Sequence, residues 1–188
     1  VVKDRLYTDP AGSDRRRSTQ TALHRILTRL TQALAPILAF TADEAWEQIP
    51  GVATKSVHLS LWNPSTGAVP TEPAWAALFS LREQALPELE KARQAKLIGK
   101  SLDAVLHFAL PAADRALVAS HEAELRELCN CSAVTVTESA ERQITVQVAG
   151  EVGRKKCERC WHWELNVGEN PTHPTLCGRC VEAVISLS

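Results

Sequence analysis

Cys157, Cys160, Cys177 and Cys180 are the residues whose type and spacing speak most directly of chemistry. Two C-x-x-C pairs separated by 16 residues have the spacing of a structural zinc site. Each pair forms a tight knuckle that aims two sulfurs at one centre. The loop between them brings the second knuckle round to complete a tetrahedron. Four thiolates saturate one Zn²⁺ and leave no position for an activated water, so such a centre is structural and not a hydrolase site. Gly178, inside the second pair, suits a knuckle that needs a permissive backbone. His162 and His173 are the alternative ligands, each able to replace one cysteine.

Other uses of these cysteines fit less well. A redox C-x-x-C normally opens a helix in a βαβ unit, whereas Arg154, Lys155 and Lys156 before Cys157 read as a solvated approach. Disulfides need an oxidising compartment, and residues 1–10 are too polar and charged for an export signal. Four thiolates on one Zn²⁺ leave net negative charge, which Arg154, Lys155, Lys156, Arg159 and Arg179 can offset. Cys129 and Cys131 have C-x-C spacing, poor for this site, and read as ordinary free thiols. His107 and His121 read as structural.

The chain of 188 residues suffices for one domain or two small ones. Hydrophobic content of 45% and charged content of 23% are those of a soluble globular protein. No apolar run is long enough to span a bilayer, and an unexported chain with clustered cysteines is expected in the cytoplasm. Methionine is absent, as is compatible with a piece of a longer polypeptide. A net charge of −1 argues against coating nucleic acid by bulk attraction. The charge is uneven, however. Residues 103–150 hold seven acids against three arginines, while basic residues gather at Arg15-Arg16-Arg17, at 91–100 and at the first knuckle.

The elements that must position the knuckles follow from periodicity. Leu23, Ile26, Leu27, Leu30, Leu34, Ile37 and Leu38 recur at helical spacing, with Pro36 as a kink or stop. Thr41 as N-cap and Glu44 at N3 predict a capping box that restarts the helix. Residues 55–64 alternate and predict an extended segment, 64–73 a turn-rich linker, and 73–96 a helix kinked at Pro87. Trp46, Trp75, Leu78, Phe79, Leu86 and Leu89 are the expected core of a helical bundle over 1–98. Strands are predicted at 104–110, 133–137 and 144–149, with an amphipathic helix over 112–128. The expected fold is α+β and mainly helical: a helical domain (1–98), a small α+β unit (99–150) and a four-cysteine finger (151–188). Gly99-Lys100-Ser101 fails as a phosphate loop, because Gln94 stands where that motif needs glycine. No catalytic constellation is apparent.

Several motifs, in order, carry a resemblance. They are Lys3-Asp4-Arg5-Leu6-Tyr7; Arg16-Arg17-Ser18 with Gln20-Thr21; and Ala35-Pro36-Ile37-Leu38-Ala39-Phe40-Thr41-Ala42-Asp43-Glu44-Ala45-Trp46. Ser56-Val57-His58-Leu59 and Ile98-Gly99-Lys100-Ser101-Leu102-Asp103-Ala104 follow, then Cys157-Glu158-Arg159-Cys160-Trp161-His162 and Cys177-Gly178-Arg179-Cys180. The chain resembles the anticodon-binding helical domain and C-terminal zinc finger of bacterial isoleucyl-tRNA synthetases over nearly its whole length.

That resemblance implies a fragment that binds the anticodon stem-loop of an isoleucine tRNA, as a monomer joined to the rest of the synthetase chain. The parent enzyme would attach isoleucine using ATP in catalytic and editing domains whose signatures this chain lacks. Unstacked anticodon bases are held by aromatic stacking and their phosphates by Arg and Lys. Arg159, Trp161, His162 and Arg179 on the knuckles, with Arg16 and Arg17, are thus the expected tRNA contacts. For Trp161 and Trp163 the alternative is a mini-core under the metal; for residues 15–17 it is a solvated helix start. The competing functions are a zinc-ribbon DNA-binding module, as in formamidopyrimidine-DNA glycosylases, and a protein-docking module.

Overall fold

In a computed structural model of the chain, residues 2–62 and 74–186 are described. The expected linker at 64–73 lies outside the described residues. α1 (Val2–Thr8) leads through Asp9 to α2 (Asp14–Leu34), whose N-cap Ser13 accepts from the Arg16 amide at 3.3 Å. Pro36 has no amide to donate, and a turn at 35–38 separates α2 from α3 (Ala39–Glu47).

The predicted capping box does not form. α3 begins before Thr41, with Leu38 at its N-cap and no side-chain cap. The nearby Asp43 carboxylate instead accepts from Ser56 Oγ (2.7 Å) and the Val57 amide (2.9 Å). Those bonds wind residues 57–59 into a 3₁₀ turn, so the predicted extended segment is absent there. Alternation alone cannot make a strand where a carboxylate captures a backbone amide and the neighbouring hydroxyl. Trp46 is buried, its indole N–H donating to Thr54 O at 3.0 Å, and forms a small core with Ala35, Ala42, Ile49 and Val57.

The apolar face of α2 is helical as expected but not buried. Ile26 is 61% and Leu30 51% exposed, while the buried residues of this helix are Thr19 and Thr31. Periodicity reports which face is apolar, not whether another element covers it. Trp75, Phe79 and Leu86 are likewise exposed, which corrects their assignment to the core.

α4 (Ala74–Gln94), with Pro87 inside it, packs Leu78, Leu81, Ala85, Leu89 and Ala92 onto the sheet and not onto α2. The central strand β1 (Ala104–Leu110) pairs parallel with β2 (Ala133–Glu138) and antiparallel with β3 (Gln143–Val148), in the order β2-β1-β3. A parallel pair needs a crossover. It is supplied by α5 (Ala112–Ser120) and α6 (Glu122–Cys129), two helices where one was expected, broken at His121. Leu106, Phe108 and Leu110 face α4 and α6, whereas Val105 and Ala133 face the opposite side with Ala149 and Trp163.

The finger follows. β4 (Lys155–Lys156) and β5 (Trp163–Glu164) form a short antiparallel pair around the first knuckle. α7 (Gly178–Ile185) starts directly after Cys177. No described helix is long and apolar enough to cross a membrane.

Candidate metal centre and nucleic-acid interface

The β4–β5 hairpin turns through 157–162, with the Cys157 amide donating to His162 O and the Trp161 amide to Cys157 O, both at 2.9 Å. The second knuckle places Cys177 at the N-cap of α7 and Cys180 in its first turn. The four sulfurs lie within 4.8 Å of one another and are all buried, with none in a disulfide. Cys160 Sγ and Cys177 Sγ are 3.7 Å apart. Sulfurs at the corners of a tetrahedron around zinc stand about 3.8 Å apart, so this donor set fits such an ion. Among the described residues neither His162 nor His173 belongs to the cluster.

Hydrogen bonding among the packed sulfurs lowers the Cys160 pKa and raises those of Cys177 and Cys180. A divalent ion would let all four ionise together. By contrast, burial pushes Cys129 up to about 11 and Cys131 up to about 12, as befits inert thiols. Gly178 has no positive φ; its requirement is space, since a Cβ there would lie 2.9 Å from Asn166 Nδ2.

Trp161 and Trp163 separate cleanly. Trp163 docks the finger on the sheet: its amide donates to Ser132 Oγ (2.7 Å) and its indole N–H to Asp103 Oδ1 (3.0 Å). Trp161 is 57% exposed, sits at φ +66°, and has Lys100 Nζ 5.4 Å from its ring centroid. A non-glycine residue in this left-handed region costs about 1 kcal/mol or more, and here it turns the indole outward.

The remaining residues expected to meet RNA are largely engaged within the protein. Arg179 holds Asp4 with two teeth, at 2.6 and 2.9 Å, and lies 3.4 Å from Asp9. Arg159 donates to the α1 carbonyls of Thr8 (2.6 Å) and Tyr7 (3.4 Å) and lies 3.6 Å from Cys180 Sγ. Arg16 donates to Asp9 O at 3.2 Å. The buried His162 ring meets Arg126 Nη2 at 2.8 Å through Nδ1. Arginine can only donate, so Nδ1 accepts and the ring proton sits on Nε2, 3.7 Å from Asp4 Oδ1. Burial and the Arg126 cation both lower the His162 pKa. Arg17 is exposed on α2.

This network also takes in Arg15, from the basic cluster at the start of α2, and residues with no expected site role, Arg5, Arg126, Glu127 and Glu164. Arg15 bridges Asp4 (3.0 Å), Asp9 (3.0 Å) and Glu127 (3.2 Å); Arg5 meets Glu127; Arg126 meets Glu164. Burial would raise the Asp4 pKa, but the Arg179 guanidinium outweighs it and holds the carboxyl at about 2.

The helical segment, sheet and finger define a class. Residues 1–108 match the family described as the anticodon-binding domain of tRNA ligase, to which the chain belongs. Residues 154–183 match the zinc finger found in FPG and IleRS. Over 188 residues the chain is 43% identical to isoleucine–tRNA ligase of Dichelobacter nodosus, covering 98% of this chain and 20% of that protein. It is 39% identical to the corresponding ligase of Bordetella parapertussis over 96% of its length, and 38% to that of Halorhodospira halophila over 98%. The chain spans about a fifth of the length of these curated relatives. It thus joins an anticodon-binding domain to a zinc finger, with the sequence of the isoleucine branch of that family.

Proposed function

We propose that this chain is the tRNA-reading part of an isoleucine–tRNA ligase and binds the anticodon stem-loop of an isoleucine tRNA in the cytoplasm. The whole enzyme attaches isoleucine to that tRNA using ATP, with chemistry supplied by parts of the ligase that this chain does not match. The supporting observation is the exposed, outward-turned Trp161 with Lys100 over its ring, beside a four-cysteine cluster in an anticodon-binding family member.

In this reading Cys157, Cys160, Cys177 and Cys180 hold one structural Zn²⁺, which supplies rigidity and no chemistry. Trp161 offers its face to an unstacked base, and Lys100 and Arg17 offer charge to phosphate. Arg159, His162, Arg179 and Arg16 reach RNA only with donors left over from their protein partners, and act chiefly by fixing the finger. Such prepositioning lowers the entropy lost on binding.

The test is binding of the zinc-loaded chain to an isoleucine tRNA and a non-cognate tRNA across a salt series. Preference for the isoleucine tRNA that persists at moderate salt supports base reading. Equal affinities that vanish together with salt would reduce the interaction to backbone attraction and overturn the proposal. No binding to either would favour a docking module.

A further inference from the structure

Both C-x-x-C pairs carry an arginine at their centre, Arg159 in one and Arg179 in the other, and both arginines reach the same short helix. α1 has seven residues and none of them is buried. With no buried side chain to anchor it, α1 is held to the fold by what grips it. Its grips are largely ionic. Arg179 and Arg15 hold Asp4, Arg5 reaches Glu127, and Arg159 donates to the last carbonyls, which a helix leaves without internal partners. The finger depends on α1 in turn, because the partly buried Arg179 would lose its two-toothed partner without Asp4 and keep only the longer contact to Asp9 at 3.4 Å. His162, whose carbonyl accepts from the Cys157 amide, adds a third link through Asp4.

We propose that Asp4 and Arg179, with Arg159 on the α1 carbonyls, form a latch that links metal binding in the finger to the seating of α1. The inference rests on the reading that the four cysteines hold a metal. Each arginine is flanked by two converging sulfurs, so closing the cluster sets the direction in which its guanidinium leaves the knuckle. Metal binding therefore presents both guanidiniums to α1, and a seated α1 favours the closed knuckles by the same factor. Asp4 is a positioning residue in this scheme, since it does not belong to the sulfur cluster.

The sign of the effect separates the latch from simple electrostatics. Four thiolates around a divalent cation are net negative, so removing the nearby Asp4 charge should, by Coulomb's law alone, tighten metal binding. The latch predicts the reverse. In the 188-residue chain, Zn²⁺ affinity is read by competition with a chromophoric chelator for the wild type, Asp4→Asn, Arg179→Met and the double variant. Asp4→Asn should weaken binding on the order of tenfold, within the roughly 5–150-fold usual for coupled sites. The double variant should lose little more than Arg179→Met alone. Hydrogen exchange needs no variant: removing zinc from the wild type should speed exchange of the Leu6, Tyr7 and Thr8 amides. Zinc binding by Asp4→Asn as tight as wild type or tighter, or α1 exchange indifferent to zinc, overturns the latch. A wild type that binds no zinc overturns the metal reading and the latch with it.

Discussion

Asp4 and Arg179 lie 175 positions apart, yet they meet as a two-toothed carboxylate–guanidinium pair at 2.6 and 2.9 Å. Arg15 approaches the same carboxylate at 3.0 Å, and His162 Nε2 lies 3.7 Å away. One acidic side chain near the N-terminus thus gathers groups from α2 and from both knuckles.

Acid should expose that pair. The Asp4 carboxyl titrates at about 2 when folded, against 3.8 for the ordinary group. A depressed folded pKa stabilises the native state above the unfolded value, and that stability is lost as pH falls from about 4 through 2. Partial exposure limits the effect to about 2 kcal/mol at most. Denaturant midpoints measured across this window should fall more steeply for wild type than for Asp4→Asn. Parallel curves would show that Asp4 is not the group responsible.

Replacing Cys177 by Ser removes one of the four sulfurs. Metal content should drop well below one ion per chain, and residues 151–186 should lose amide dispersion while the Trp46 core persists. Metal analysis and a two-dimensional amide spectrum check both halves. Full metal retention would argue that three sulfurs suffice.

Trp161→Ala should leave metal content unchanged and weaken tRNA binding by about 1–3 kcal/mol, the range for one stacked base. Trp161→Gly should weaken it comparably, yet melt no earlier than Trp161→Ala, because glycine relieves the positive φ. Arg159→Ala differs in kind: it should lower melting temperature as well as affinity, through its bonds to α1.

Phe108 is fully buried between β1 and the helices that cover it. Phe108→Ala should cost about 3–5 kcal/mol, read from denaturant unfolding, without altering the spacing of the knuckles. A loss below about 1 kcal/mol would mean that the sheet collapses around the cavity.

Features encoded over short stretches of chain were legible without a structure. The two C-x-x-C pairs converge because each knuckle is local and the intervening loop need only close. The strands expected at 104–110, 133–137 and 144–149 form within one residue of those bounds, and α2 and α4 follow from their apolar period. Tertiary structure alone decided what those elements meet. Ile26 and Leu30 have the period of a core and lie exposed, because burial depends on a neighbour that spacing along one helix does not encode. Residues 57–59 alternate like a strand but turn, because Asp43 captures the Val57 amide from another helix. Trp161 and Trp163, two residues apart, have opposite fates, since Asp103 and Ser132 claim one ring while a left-handed backbone turns the other outward. The engagement of Arg159 with the α1 carbonyls and of Arg179 with Asp4 is not written in local sequence, because those partners are distant in the chain. Charge pairing of that kind depends on three-dimensional proximity, which only the folded chain supplies.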